Sequence, residues 1–191
     1  MILLARHGES RDNVAPQRFS GWLDAPLTDR GREQARALAA IAAQARVAAV
    51  WTSQLARARE TAEIVAAALG LEPRVDERLA ESHRGRWEGR LVVDLEREEP
   101  DAWAAWRRGG AEFRFPGGES LAEHQARSLA ALDAVRAGPM PALVVCHGGT
   151  IRVIAAASHP RGLDAFHDVA PRIPNATLLR LEDLSAWTSA A

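Results

Sequence analysis

The chain has 191 residues, 47% of them hydrophobic and 26% charged, with a formal net charge of -1 from 24 basic and 25 acidic side chains. That length suits one domain with at most a modest insertion, the composition excludes a fibrous or disordered chain, and the charge balance excludes a general attraction for nucleic acid or anionic membrane. The single cysteine, Cys146, excludes an intramolecular disulfide and a cysteine-rich zinc site, and an N-terminus without basic leader or cleavage site predicts neither export nor membrane insertion, so cytoplasm is the expected location.

In chain order, Ile2-Leu3-Leu4-Ala5 is an apolar run of strand length that leads into Arg6-His7-Gly8. Thr28 is a predicted N-cap for a helix carrying Ala35, Leu38, Ala39 and Ile41, and Val47 to Trp51 reads as a second strand. A helix from about Arg57 to Leu69 closes on Gly70 as its C-cap, and Leu71 to Val75 forms a short strand leading to Arg78-Leu79-Ala80-Glu81. The stretch from about 91 to 118 holds Pro100 and the Gly109-Gly110 and Gly117-Gly118 pairs. It predicts an insertion over the sheet, with Trp87, Trp103 and Trp106 at turns. Ser120-Leu121-Ala122-Glu123 matches a capping box, opening a helix that ends near Gly138, and Ala142 to Cys146 is the clearest core strand. A final strand near Thr177 to Leu181 follows Asn175. Strands alternating with amphipathic, alanine-rich helices predict an α/β fold.

Four positions carry the chemistry. His7 leaves the first strand at a glycine turn, and His147 leaves the best core strand in Cys146-His147-Gly148-Gly149. Ligands of open α/β sheets bind at the carboxyl ends of strands, so both imidazoles are expected in one site. A neutral imidazole is a good nucleophile toward phosphorus, and Arg6 beside it supplies the fork that holds phosphoryl oxygens. Arg57 falls at a helix N-terminus, a natural anion site, while Arg59 is assigned to solvent or a salt bridge. Glu81 is a candidate proton donor to a leaving alkoxide, with a pKa raised by nearby phosphate; Glu88 is an equal nominee on sequence. Cys146 reads as a buried strand residue.

These segments resemble the histidine phosphatase superfamily, phosphoglycerate mutase-like branch, nearly end to end. The matching blocks are Arg6-His7-Gly8-Glu9-Ser10 with Asn13; Gly21, Asp24, Pro26-Leu27-Thr28, Gly31 and Gln34-Ala35; Arg57-Ala58 with Thr61-Ala62; Glu81 with Gly85 and Trp87-Glu88-Gly89; His147-Gly148-Gly149-Thr150 with Arg152; and Pro174-Asn175-Ala176-Thr177. The resemblance implies a three-layer α/β/α sandwich around a mainly parallel sheet, formed by residues 1–191 as one domain with the insertion over the active site. It implies a transient phosphohistidine on His7, with Arg6, Arg57 and His147 holding the phosphoryl group and Glu81 donating the proton. Asn13, Ser20, Gly21 and Gly148 would line the substrate pocket, although Ser20 stands where the family often has glutamine. No metal or other cofactor is required.

Within the family, a phosphomonoester hydrolase acting on a small phosphorylated metabolite is favoured over a phosphoglycerate mutase. Ser82 follows Glu81 where glycolytic mutases have an arginine, and Pro116-Gly117-Gly118-Glu119-Ser120 is similar to broad-specificity and α-ribazole phosphatases. Trp106-Arg107-Arg108 points the other way, because mutases hold a substrate carboxylate with paired arginines; Arg107 and Arg108 are therefore candidate substrate ligands. A non-catalytic phospholigand-binding module would have no use for His7, His147 and Glu81 together. A metal-dependent hydrolase would need clustered ligands, whereas His83, His124, His159 and His167 are scattered. Trp103 and Trp106 are expected to cover the pocket with Trp87 under the Glu81 loop; a sugar phosphate, a phosphoglycerate or an aryl phosphate would fit, and the chain is expected as a monomer or homodimer.

Overall fold

The apolar runs assemble into one five-stranded sheet in the computed structural model, which describes residues 1–169 and 173–186. Strands β1 (Ile2–Arg6), β2 (Ala49–Thr52), β3 (Pro73–Val75), β4 (Ala142–Cys146) and β5 (Leu178–Arg180) lie in the order β3-β2-β4-β1-β5. All neighbours are parallel except β5, which runs antiparallel to β1 at the edge. β1 and β4 pair with Leu3 opposite Leu143 and Arg6 opposite Cys146, and the ladder extends one bond further as the His7 N–H donates to the Cys146 carbonyl at 2.9 Å. This register delivers His7 and His147 to the same end of the sheet.

The helices are α1 (Asp29–Gln44), α2 (Ala56–Leu69), α3 (Val92–Glu98), α4 (Pro100–Arg108), α5 (Leu121–Arg136) and α6 (Gly148–Ala156). The predicted caps are present: Thr28 accepts from the Gly31 N–H, Ser120 and Glu123 form a reciprocal capping box, and Gly70 ends α2 in the left-handed conformation. Because strand side chains alternate between faces, Leu3, Ala5, Leu143 and Val145 pack on Leu38, Ala39 and Ala42 of α1 and on Ala62, Val65 and Ala66 of α2. Leu4, Val144 and Cys146 face the other way, toward Leu132 and Val135 of α5 and Ile151 and Ile154 of α6. Three layers result. Cys146 is fully buried and its thiol is pushed up to about 12 by that burial, so it packs as an inert hydrophobe.

One local expectation is corrected. Trp103 and Trp106 lie within α4, which Pro100 opens from the first turn, where its missing N–H costs nothing, so they are not at turns. The helix expected to carry Ala35, Leu38, Ala39 and Ile41 is α1, which turns Ala35, Leu38, Ala39 and Ala42 toward the sheet and leaves Ile41 exposed. Rings anchor α4: fully buried Trp87 meets Trp103 and Trp106 at centroid distances of 6.1 and 6.4 Å, and Phe19 meets Trp106 at 5.3 Å. Among the described residues no helix is long and apolar enough to cross a membrane.

Candidate active site

A cavity of about 240 Å³ opens at the carboxyl ends of β1 and β4. Arg6, His7, Arg57 and Glu81 line it, together with the predicted Asn13, Ser20, Gly21 and Gly148. His147 is fully buried behind this wall, with its ring centroid 5.3 Å from that of His7. Arg107 and Arg108 are not brought to the cavity. They are exposed in the last turn of α4, where cations suit the negative end of the helix dipole.

His7 is fixed by its turn. The Gly8 N–H donates to Thr61 Oγ1 at 3.0 Å, Thr61 Oγ1 donates to the Arg57 carbonyl at 2.7 Å, and Asn175 Nδ2 donates to the His7 carbonyl at 2.9 Å. His7 Nδ1 lies 2.6 Å from the Gly8 carbonyl oxygen. A carbonyl only accepts, so Nδ1 carries the hydrogen and Nε2 keeps its lone pair. Burial, then the charges of Arg57 and Arg6, holds the imidazole well below its usual pKa. The result is a neutral ring with one committed nitrogen and one available nucleophilic nitrogen.

The two arginines are anchored through the backbone. Arg57 donates from Nη1 to the Leu23 carbonyl at 2.9 Å and from Nη2 to the Gly21 carbonyl at 2.8 Å, and burial lowers its pKa to about 10. Arg6 Nη1 donates to the Ile173 carbonyl at 2.7 Å. Asn13 Oδ1 accepts from the Ser10 N–H at 3.1 Å and from Asn175 Nδ2 at 3.1 Å, which leaves its amide nitrogen as the group to offer the cavity. His147 Nε2 lies 2.7 Å from Ser53 Oγ, while its Nδ1 is buried without a protein partner. Burial and the Arg57 charge keep this second imidazole neutral as well.

Geometry separates Glu81 from Glu88. Glu88 Oε1 accepts from the Trp22 and Arg84 backbone N–H groups at 3.0 and 2.9 Å and lies outside the cavity wall, a structural role. Glu81 Oε1 accepts from the Ser82 N–H at 2.9 Å, Oε2 accepts from the Gly149 N–H at 3.0 Å, and Arg84 Nη2 stands 3.6 Å from Oε2. Burial penalises the charge of Glu81, but Arg84 and these donors outweigh it and hold the carboxyl well below its usual range. The protein's own field therefore runs, on balance, against the upward shift, which was expected from a nearby phosphate.

Sequence reasoning missed Arg84 and Phe19, and gave no role to Arg152, although all three line the cavity. Arg84 lies over the Phe19 ring with its guanidinium carbon 4.1 Å from the centroid. Nothing in the irregular segment around Gly85 distinguishes Arg84 from exposed Arg86, because no period sorts its side chains into inner and outer. Two neutral imidazoles, two backbone-anchored guanidinium groups and a buried carboxylate form a constellation that can accept, stabilise and release a phosphoryl group.

Residues 2–184 match the histidine phosphatase superfamily (branch 1), and the chain belongs to that family of enzymes. Among curated proteins, one from Serratia proteamaculans (strain 568) named "Probable phosphoglycerate mutase GpmB" is 37% identical over 194 residues, covering 97% of this chain and 86% of the relative. A protein of the same name from Escherichia coli (strain K12 / DH10B) is 36% identical over 187 residues, covering 95% and 84%. Among solved structures, a mycobacterial glucosyl-3-phosphoglycerate phosphatase aligns with a TM-score of 0.82 at 30% identity, over 93% of this chain and 87% of that one. The α-ribazole phosphatase of Shigella flexneri aligns with a TM-score of 0.77 at 28% identity, over 93% and 87%.

Proposed function

We propose that the chain is a metal-independent phosphomonoester hydrolase that turns over a small phosphorylated metabolite through a phosphohistidine on His7. The observation that carries this reading is the committed Nδ1 of His7, 2.6 Å from the Gly8 carbonyl, which leaves Nε2 as a neutral nucleophile in a cavity also lined by Arg6 and Arg57. The phosphoryl oxygens sit between the two guanidinium groups, whose charge does the neutralising work. The Nε2 lone pair forms the N–P bond as the ester P–O bond breaks, and the leaving oxygen takes a proton from Glu81. A phosphate monoester with its second pKa of about 6 reaches the site partly as the monoanion, and that proton passes to Glu81 as the dianion settles against the arginines. In the second half, Glu81 as carboxylate takes a proton from water. The water oxygen bonds to phosphorus, the N–P bond breaks, and neutral His7 and inorganic phosphate result.

Hydrolysis is favoured over mutase chemistry by two placements. Ser82 is hydrogen bonded to His124 rather than turned to the cavity, and Arg107 and Arg108 stand outside it, so none of the three offers a clamp for a substrate carboxylate. The solved phosphatases to which the chain is similar support the same choice, and the mycobacterial phosphatase has been solved with inorganic phosphate. The names of the curated relatives support the mutase alternative.

The test compares wild type with His7→Ala on p-nitrophenyl phosphate and 3-phosphoglycerate, with and without EDTA, following free phosphate and 2-phosphoglycerate. Free phosphate that is released in EDTA and lost in the variant is the expected result. Accumulation of 2-phosphoglycerate with little free phosphate would make the enzyme a mutase, and activity in His7→Ala would overturn the nucleophile.

A further inference from the structure

Beneath the Glu81 loop lies a hydrogen-bonded chain that the proposed reaction leaves unused. His124 of α5 is fully buried, with Nδ1 2.7 Å from Ser82 Oγ and Nε2 3.2 Å from Thr150 Oγ1. Thr150 Oγ1 donates to the Ala80 carbonyl at 3.0 Å, which spends its one hydrogen. Toward His124 it can only accept, so Nε2 carries the ring hydrogen, Nδ1 keeps the lone pair, and Ser82 Oγ donates to it. Every bond runs in one direction, from Ser82 through His124 and Thr150 to Ala80. The chain starts and ends on the two residues that flank Glu81.

Its members also carry the donors that hold the Glu81 carboxylate. The Ser82 N–H donates to Oε1 at 2.9 Å, and the Gly149 N–H, on the residue before Thr150, donates to Oε2 at 3.0 Å. Fixing Ser82 to Thr150 through one imidazole therefore fixes the separation of the two N–H groups that set the carboxylate's position. Burial lowers the pKa of His124 to about 3, so the ring stays neutral and its hydrogen-bond direction does not reverse at neutral pH. Simple packing between α5 and α6 would be served as well by a leucine, without desolvating an imidazole and two hydroxyls.

We infer that Ser82, His124 and Thr150 form a positioning relay that aims the Glu81 carboxyl at the leaving-group oxygen. The inference rests on the phosphohydrolase reading of the site. A relay serving a proton donor has a signature that a structural brace lacks: its loss falls on leaving groups that need the proton. An alkoxide needs it, whereas p-nitrophenolate departs without it.

The experiment measures kcat/KM for glycerol 2-phosphate and for p-nitrophenyl phosphate in wild type, Ser82→Ala, Thr150→Val and Thr150→Ser. Ser82→Ala and Thr150→Val break the chain from opposite ends with little change of volume. Each is expected to lower the glycerol phosphate value about 10- to 100-fold while the aryl phosphate value stays within about threefold of wild type. Thr150→Ser, which keeps the hydroxyl, is expected to restore the ratio of the two. Equal losses on both esters, or no loss on either, in an active wild-type background would overturn the relay alone. Wild type that releases phosphate from neither ester would overturn the hydrolase reading instead.

Discussion

Replacing Gly8 by alanine tests whether the turn that carries His7, the proposed nucleophile, is held by direct backbone packing. A Cβ built there lies 2.4 Å from the Gly31 carbonyl oxygen, 3.0 Å from its carbonyl carbon and 3.2 Å from its Cα. All three atoms are backbone in the first turn of α1, where the Gly31 N–H is already capped by Thr28 Oγ1 at 3.0 Å, so no flexible side chain can yield. Ordinary contact begins at 3.4 Å, so the turn and α1 must separate by about 1 Å, at an overpacking cost of about 1–3 kcal/mol. In a chain of this size a loss of about 2 kcal/mol lowers Tm by about 4–8 °C. Because the same residue supplies the carbonyl that orients His7, a displacement of about 1 Å should also reduce kcat/KM about 100-fold. Calorimetry paired with p-nitrophenyl phosphate kinetics reads both quantities. Gly70→Ala is the control: its φ is +69° with nothing within 4 Å, so it should cost about 1 kcal/mol of stability and leave kcat/KM alone. A Gly8→Ala enzyme with wild-type Tm and kcat/KM would refute the packing argument.

Gly149→Ala would put a Cβ 2.1 Å from Glu81 Oε1 and 3.0 Å from Cδ, displacing the carboxylate; alkyl phosphate turnover should fall about 100-fold while phosphohistidine still forms from p-nitrophenyl phosphate, as acid-quenched labelling would show. Arg57→Lys removes a fork that spans the Gly21 and Leu23 carbonyls at 2.8 and 2.9 Å, and a single ammonium cannot replace it. The inhibition constant for inorganic phosphate should rise about 10-fold or more, corresponding to about 1.4 kcal/mol; an unchanged constant would remove Arg57 from phosphate binding. His124 titrates at about 6.5 when unfolded and about 3 in the fold, so the unfolded state takes the proton first. The stability this ring confers is complete above about pH 6.5 and declines as pH falls toward 3, with about 2 kcal/mol gone by pH 5, and buried His7 and His147 act in the same direction. Urea unfolding at pH 7 and pH 5 checks this, and equal stabilities would refute it.

The strand-and-turn framework was legible in the sequence because it rests on local signals. Apolar runs ending in His7-Gly8 and Cys146-His147-Gly148 specify two buried strands with a histidine at the end of each, and parallel pairing of the two in register is enough to bring the rings to 5.3 Å. Caps at Thr28, Ser120 and Gly70 are one-residue chemistry and were equally readable. The charge state of Glu81 was not, since it depends on Arg84, which approaches from an irregular segment with no side-chain period. The exposure of Arg107 and Arg108 was hidden for a related reason: their motif fixes them on a helix, but the packing of half-buried Trp106 against Phe19 and Trp87 turns them to solvent. Which way a helix rolls is a tertiary outcome.

The aromatic cluster around Trp87 shapes one side of the cavity. Trp106, Phe19 and Val92 supply much of the apolar side of the cavity and pack with Trp87, Trp103 and Leu95 in the same core that holds Leu4 and Val144 of the strands. The apolar lining thus comes from Phe19 and from α3 and α4, whereas Arg6 and His7 stand at the end of β1. Under the proposed reading, substitutions among those rings would change which ester is admitted while leaving the groups around phosphorus in place.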